Sequence, residues 1–139
     1  MKQIPPIKSV MTSFPHTVEA DEPVARALEL IREHGIRHLP VVDGGRLVGV
    51  IGERDAEAAL SRPSAGLRVR DVERSTAYTV ELHEPLDRVL EHMAHERIDC
   101  TLVVKDGRLA GIFTANDACR RFSELLHALF PRPGSDDAA

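Results

Sequence analysis

Apolar and polar residues along the chain form a pattern that occurs twice. Two short extended pieces, His16-Thr17-Val18 and Tyr78-Thr79-Val80, each lead into a Glu-Pro pair, at Glu22-Pro23 and Glu84-Pro85. The fixed φ and missing N–H of proline suit the first turn of a helix, so a helix is predicted at each. After Pro23, the residues Val24, Ala27, Leu28 and Ile31 recur at helical spacing, and after Pro85 so do Leu86, Val89, Leu90 and Met93. Each helix therefore has one apolar face to bury. Gly35 is a good C-terminal cap for the first, whereas Arg97 stands in that place in the second, which must end by other means. Two β-rich runs follow, at residues 37–42 and 46–51, joined by Asp43-Gly44-Gly45, with Lys105-Asp106-Gly107 as the counterpart in the second half. Asp-Gly between apolar runs signals a tight hairpin. A closing helix is predicted from Glu53 to Leu60 and again from Ala115 to about Leu129. The unit reads β-α-β-β-α.

A shift of 62 positions aligns residues 10–56 with residues 72–118 without a gap and yields 19 identities in 47 positions. Average composition would give about three. A unit of roughly 50 residues buries too little surface to be comfortable alone. The two copies are therefore predicted to pack sheet to sheet about a pseudo-two-fold axis, giving an α/β (α+β) fold in one domain. The expected boundaries are residues 8–61 for the first repeat and 71–130 for the second with its C-terminal helix. Between them lies a linker, 62–70, whose Ser61-Arg62-Pro63-Ser64-Ala65-Gly66 stretch has turn composition; a disordered tail is expected at 131–139. A pseudo-two-fold creates two related clefts between the halves, where small ligands tend to lodge.

Composition narrows the function. The chain has 139 residues, 42% of them hydrophobic and 29% charged, as in an ordinary folded domain. Aromatics are 4%, with one Tyr and no Trp, so the core must be aliphatic and stacking platforms for single-stranded nucleic acid are scarce. A net charge of −4 without a basic run lacks the footprint of a nucleic-acid binder. No apolar stretch approaches the roughly 20 residues of a membrane span, and MKQIPPIKSVMTSF has no signal-peptide core, so a cytoplasmic location is expected. Cys100 and Cys119 stand alone and read as reduced thiols. His92 and His95 have i, i+3 spacing, but no third ligand is placed, so an exposed helix face is the better reading and no metal is expected. No nucleophile with an adjacent base and no paired carboxylates are apparent, which points away from an enzyme.

The segments most suggestive of binding are Gly49-Val50-Ile51-Gly52-Glu53-Arg54-Asp55 and Gly111-Ile112-Phe113-Thr114-Ala115-Asn116-Asp117. Both run from a strand into a helix N-terminus, where backbone N–H groups and the helix dipole favour an anion such as phosphate. Thr114 adds a hydroxyl, and Asp117 offers two oxygens that could accept both hydroxyls of a ribose diol. The same Thr-x-x-Asp spacing also fits a capping box, and on spacing alone that reading is the stronger.

The repeat resembles the CBS domain, named after cystathionine β-synthase, and the tandem resembles a CBS pair, or Bateman module. The resemblance rests on "TVEADEPVARALELIREHGIRHLPVVDGGRLVGVIGERDA" in the first copy and on "TVELHEPLDRVLEHM" and "LVVKDGRLAGIFTANDA" in the second, and covers about residues 8–123. It implies a regulatory module binding adenosyl compounds such as AMP, ADP, ATP or S-adenosylmethionine between the halves, with no obligatory cofactor. The implied ribose and phosphate residues are Thr114 and Asp117. The first copy has Asp55, but Gly52 where the hydroxyl belongs, so the resemblance implies a tighter Thr114/Asp117 cleft and a weaker Asp55 cleft. The implied base-pocket residues are Ile36, Arg37 and His38 and their counterparts Ile98, Asp99 and Cys100, with Val10, Met11 and Val72 nearby; for these, a strand-core role is an equal alternative. Arg37, His38 and Arg54 are the cationic candidates for phosphate. The apolar run Phe122, Leu125, Leu126, Leu129 and Phe130 suits packing on its own module or on a second subunit; CBS pairs commonly form dimeric discs, which favours a homodimer. Two function classes follow: an adenosyl-ligand sensor read by an effector protein, or a ligand-independent dimerisation and interaction module.

Overall fold

The computed structural model describes residues 2–62, 66–73 and 77–134. In the first half, β2 (Val18–Glu19) leads to α1 (Val24–His34), the hairpin β3 (His38–Asp43) and β4 (Arg46–Gly52), and α2 (Glu53–Leu60). The second half repeats this as β5 (Thr79–Glu81), α3 (Leu86–Glu96), β6 (Cys100–Lys105), β7 (Arg108–Thr114) and α4 (Ala115–Leu129). A two-residue strand, β1 (Thr12–Ser13), precedes both. The sheets run β2-β3-β4 and β1-β7-β6-β5. In each half the entering strand is parallel to the next, and the hairpin is antiparallel.

The local chemistry explains the elements. Pro23 and Pro85 occupy the extended N-cap positions, one residue earlier than the first-turn placement read from sequence. Gly35 ends α1 at φ 63°, and Arg97 ends α3 in the same left-handed conformation at φ 55°. A non-glycine residue there bears a steric cost. Both hairpins turn through two residues of positive φ, Gly44-Gly45 and Asp106-Gly107, whose twist matches that of the strands.

Two cores form, one per half, and each contains a piece of the other half's chain. The first core is built on Val18, Val24, Ile31, Leu39 and Ile51 and includes Val69; the second is built on Val89, Val103 and Phe113 and includes Ile7. Val69 and Ile7 are fully buried, at 0% exposure. Residues 66–70, expected to belong to a surface linker, thus deliver a core side chain, while Pro63, Ser64 and Ala65 of that expected linker lie outside the described residues. The backbone bonds of this exchange come in matched pairs 62 residues apart. Ile7 N–H donates to Glu84 O at 2.8 Å and Val69 N–H to Glu22 O at 2.8 Å. Leu86 N–H donates to Pro5 O at 2.9 Å and Val24 N–H to Leu67 O at 3.1 Å. An ion pair between Arg70 and Asp21 also joins the second lead-in to the first half.

The sheets meet through a third cluster of Val50, Leu102 and Ile112. At the hairpin end the arginines cross over: a Cβ on Gly45 would lie 2.8 Å from Arg108 Nη1, and one on Gly107 2.8 Å from Arg46 Nη2. The halves differ in their closing helices. In the first, α2 buries Ala56 and Ala59, and Arg32 pairs with Glu57 at 3.1 Å to tie α1 to α2. In the second, α4 meets its core through Ala115 and Ala118 and has no buried residue. Leu90, read from sequence as part of the buried face of α3, is accordingly 38% exposed, whereas its counterpart Leu28 is buried. The last five residues of the expected tail, 135–139, lie outside the described residues. Among the described residues no helix is long and apolar enough to cross a membrane.

Ile7→Ala removes a fully buried side chain from the second core and should lower the unfolding free energy by about 2–5 kcal/mol in urea titration, in one transition. Ile4→Ala, at a position 54% exposed, should change it by less than about 0.5 kcal/mol. Equal effects of the two substitutions would contradict the exchanged core.

Candidate functional site

The two strand-to-helix junctions are built alike. His38 pairs with Gly52 across the first hairpin and Cys100 with Thr114 across the second, and the first helical N–H in each half is held by a carbonyl of the facing strand entry. Glu53 N–H donates to Arg37 O at 2.9 Å, and Ala115 N–H to Asp99 O at 2.8 Å. These bonds fix the start of α2 beside residues 37–38 and that of α4 beside residues 99–100.

A cavity of about 630 Å³ opens between the halves at the first junction. Its floor carries Gly52, Glu53, Arg54 and Asp55, with Arg37 and His38 from the entry of β3. The second half supplies Ala77, Tyr78, Arg97, Ile98, Asp99 and Cys100. Of the residues singled out from sequence, the cavity thus gathers Asp55, Arg37, His38, Arg54, Ile98 and Cys100, with Asp99. Thr114, Asp117, Met11 and Ile36 stand outside this lining. Ile36 packs against the first core and Met11 against the second, where it lies over Gly111; a Cβ on Gly111 would come within 2.8 Å of Met11 Cγ. Val10 and Val72, also expected near the base pocket, are partly buried against the second and first cores. A smaller cavity of about 270 Å³ lies toward the hairpins, among Arg46, Leu47, Leu102 and Val104.

At the second junction the capping box is complete. Thr114 N–H donates to Asp117 Oδ2 at 3.0 Å, and Asp117 N–H to Thr114 Oγ1 at 3.2 Å. The other carboxylate oxygen, Oδ1, faces Arg120 Nη1 at 3.3 Å in an exposed ion pair. The Thr114 hydroxyl accepts in this arrangement and retains its own proton to donate. The capping and ligand readings are therefore compatible: Oδ2 serves the helix, and Oδ1 is released at the cost of one surface ion pair, worth about 0–1 kcal/mol.

Arg97, Tyr78 and Glu53 line the cavity without having been singled out. The 62-residue shift carries a signal for Arg97, which replaces a capping glycine. Tyr78, the chain's single tyrosine, stacks on His92 with ring centroids 3.9 Å apart. His16 stacks on His34 at 3.6 Å. Among the described residues no group of three His, Cys, Asp or Glu side chains converges as metal ligands would.

Burial first, then the negative charges of Asp99 and Asp117, push the Cys100 thiol up to about 12. It stays protonated across the physiological range and is a poor nucleophile. With iodoacetamide at about pH 8, mass spectrometry should find the exposed Cys119 alkylated first, with Cys100 following only on unfolding. Prior modification of Cys100 in the folded chain would contradict this placement.

Comparison with known proteins agrees with this geometry. The CBS domain profile matches residues 7–62 and again 69–124. An L-aspartate semialdehyde sulfurtransferase of Methanocaldococcus jannaschii is 30% identical over 118 residues, 84% of this chain and 23% of that protein. The chain spans about a quarter of the length of that relative and of the inosine-5'-monophosphate dehydrogenases it also matches. Hypoxic response protein 1 of Mycobacterium tuberculosis is similar over most of both chains, 27% identical over 128 residues, 88% of this chain and 87% of that one. Among solved structures, an acetoin utilization protein from Vibrio cholerae superposes with a TM-score of 0.83 at 27% identity, covering 94% of this chain and all of the other. The CBS domain pair of protein MJ0100, in complex with 5'-methylthioadenosine and S-adenosyl-L-methionine, gives 0.80 at 30% identity, covering 88% and 99%. CBSX2 in complex with AMP gives 0.76 at 27% identity, covering 86% and 97%. With both repeats matched and their cores interlocked about one pseudo-dyad, the chain belongs to the CBS domain family as a tandem pair.

Proposed function

We propose that this chain is a regulatory module that binds adenosyl ligands in the clefts between its two halves and passes the binding on as a change in the relation of the halves or of subunits. The observation that carries this reading is the cavity of about 630 Å³ at the Asp55 junction, within the ~300–1,000 Å³ range of small-molecule sites. It lies between the two halves and is lined by both, so a ligand touching both biases their orientation. The solved CBS pairs bound to AMP, S-adenosyl-L-methionine and 5'-methylthioadenosine support an adenosyl ligand of this kind.

In this reading Asp117 and Asp55 each accept from a ribose diol, one per cleft. Thr114 gives the Asp117 cleft a hydroxyl donor that Gly52 cannot, so an adenosine unit is held more tightly there. The ligand is regulatory and not consumed. In thermal-shift assays with AMP, ADP, ATP, S-adenosylmethionine and 5'-methylthioadenosine, a ligand at 100 times its Kd should stabilise the protein by about 2.7 kcal/mol. Asp117→Ala itself removes a helix cap worth about 1 kcal/mol, so the quantity to read is the ligand-induced shift within each variant. That shift should fall more in Asp117→Ala than in Asp55→Ala and vanish in the double variant. A full shift in the double variant, or none with any of these compounds in the parent, would contradict the proposal.

The second reading, a dimerisation module, is favoured by α4. Phe122, Leu125, Leu126 and Leu129 lie on it at helical spacing and are 40–61% exposed. A contiguous apolar stripe of this kind is costly to leave in water. We place a second copy of the chain on it, which makes the two readings complementary. Leu125→Asp with Leu129→Asp should convert a dimer to a monomer in sedimentation analysis while leaving the fold intact; an unchanged dimer would exclude α4 from the interface.

A further inference from the structure

Beyond the sheet-to-sheet cluster of Val50, Leu102 and Ile112, toward the hairpin ends, lies the cavity of about 270 Å³. The first half lines it with Arg46, Leu47 and Val48 of β4, and the second with Thr79, Leu102 and Val104 of β5 and β6. Ala77 is the one described residue that it shares with the cavity at the Asp55 junction, so the two are separate spaces. Its walls are aliphatic, and Arg46 is the one charged side chain among the described lining residues. The Thr79 hydroxyl donates to Ala77 O at 3.2 Å, which commits its proton within its own strand entry.

The pseudo-two-fold shows how differently the two hairpin ends are finished. Val48 and Gly49 correspond to Ala110 and Gly111, and at those positions the surface is covered from within the chain. There β1 pairs with β7 at Thr12 and Ser13, Phe14 N–H donates to Ala110 O at 3.2 Å, and Met11 lies over Gly111. On the other side Val48 and Gly49 line the open cavity. The symmetry-related arginines differ as well. Arg108 Nη1 donates to Gly45 O at 3.4 Å, whereas among the described residues no hydrogen bond or ion pair engages the side chain of Arg46. Its guanidinium nonetheless lies across the turn of the second half: a Cβ on Gly107 would be 2.8 Å from Nη2. Gly107 also lines the cavity, so the unpaired fork sits at the cavity's edge.

We infer that this hairpin-end cavity is a binding site for a short aliphatic monocarboxylate, with the carboxylate on the Arg46 guanidinium and the hydrocarbon chain against Leu47, Val48, Leu102 and Val104. The guanidinium presents parallel N–H donors whose spacing matches the two oxygens of a carboxylate. The aliphatic walls gain by covering a hydrocarbon chain and offer it no polar partner. A volume below the ~300–1,000 Å³ of sites for drug-sized ligands suits a molecule of few heavy atoms. No carboxylate among the described lining residues stands ready for an ammonium group, so an α-amino acid of the same skeleton is refused. The site does not depend on the adenosyl reading.

The test is a ¹H–¹⁵N NMR titration of the full chain at constant ionic strength with acetate, butanoate, 4-methylpentanoate, 4-methylpentanamide and leucine, in the parent, Arg46→Gln and Arg108→Gln. Both arginines are exposed, so both variants should fold as the parent does, which the unliganded spectra check. In the parent, 4-methylpentanoate should shift the amides of Gly49 and Gly107 saturably, and butanoate should bind roughly tenfold more tightly than acetate because two more methylenes are buried. The amide, leucine and the Arg46→Gln variant should each weaken binding roughly tenfold or more, while Arg108→Gln should leave it unchanged. No saturable shift with 4-methylpentanoate, or shifts that map to the Asp55 junction instead, would overturn the inference. So would the amide or leucine binding as tightly as the carboxylate, or Arg108→Gln weakening binding as much as Arg46→Gln does.

Discussion

Ile7 and Val69 each leave the half of the chain to which they belong in sequence and fill the core of the other, and the rest of the molecule depends on that exchange. A β-α-β-β-α unit of this size exposes too much apolar surface to be secure alone. The exchanged lead-ins complete both cores, and their backbone bonds to Glu84 and Glu22 at 2.8 Å dock the two halves in fixed register. Because each half lends a segment of the same kind to the other, the arrangement closes on itself with two-fold symmetry. The junction of β4 with α2 thereby faces the second half across a cavity rather than standing as a separate surface feature.

On this symmetric frame the chemistry is asymmetric. The capping box of Thr114 and Asp117 orders the N-terminus of the long α4, while α2 starts at Gly52 and carries Glu53, Arg54 and Asp55 into an open cavity. One half closes its core with α2 laid along α1, and the other leaves α4 apolar and exposed. The cavity at the first junction gathers charged side chains of both signs, and α4 leaves Phe122, Leu125, Leu126 and Leu129 exposed.

Much of this was legible in the sequence. The 62-residue shift, the apolar face of α1 and the Asp-Gly turns each follow from a local rule of spacing or backbone conformation, and the structure has them where those rules put them. The exchanged lead-ins were not legible. Ile7 and Val69 sit in segments too short to show periodicity, and their burial is decided by contacts with residues some 80 and 50 positions away, beyond what a local pattern records. The exposure of Leu90 was hidden for a similar reason, because it depends on where α4 lies and not on the stripe of α3. At the site, Asp55, Arg37 and His38 line one cavity with Cys100, Arg97 and Tyr78 of the second half. Only the glycine missing at Arg97 marked its position in advance.

The central claim is that the two repeats are one cooperative unit because each completes the other's core. Native-state hydrogen exchange in increasing urea tests it most directly, with the slowest amides of β3 and β6 as the probes. The account predicts that both sets converge on one opening free energy and one denaturant dependence, the values of global unfolding. Opening of one repeat at a markedly lower free energy, with about half the denaturant dependence and the other repeat still protected, would contradict it.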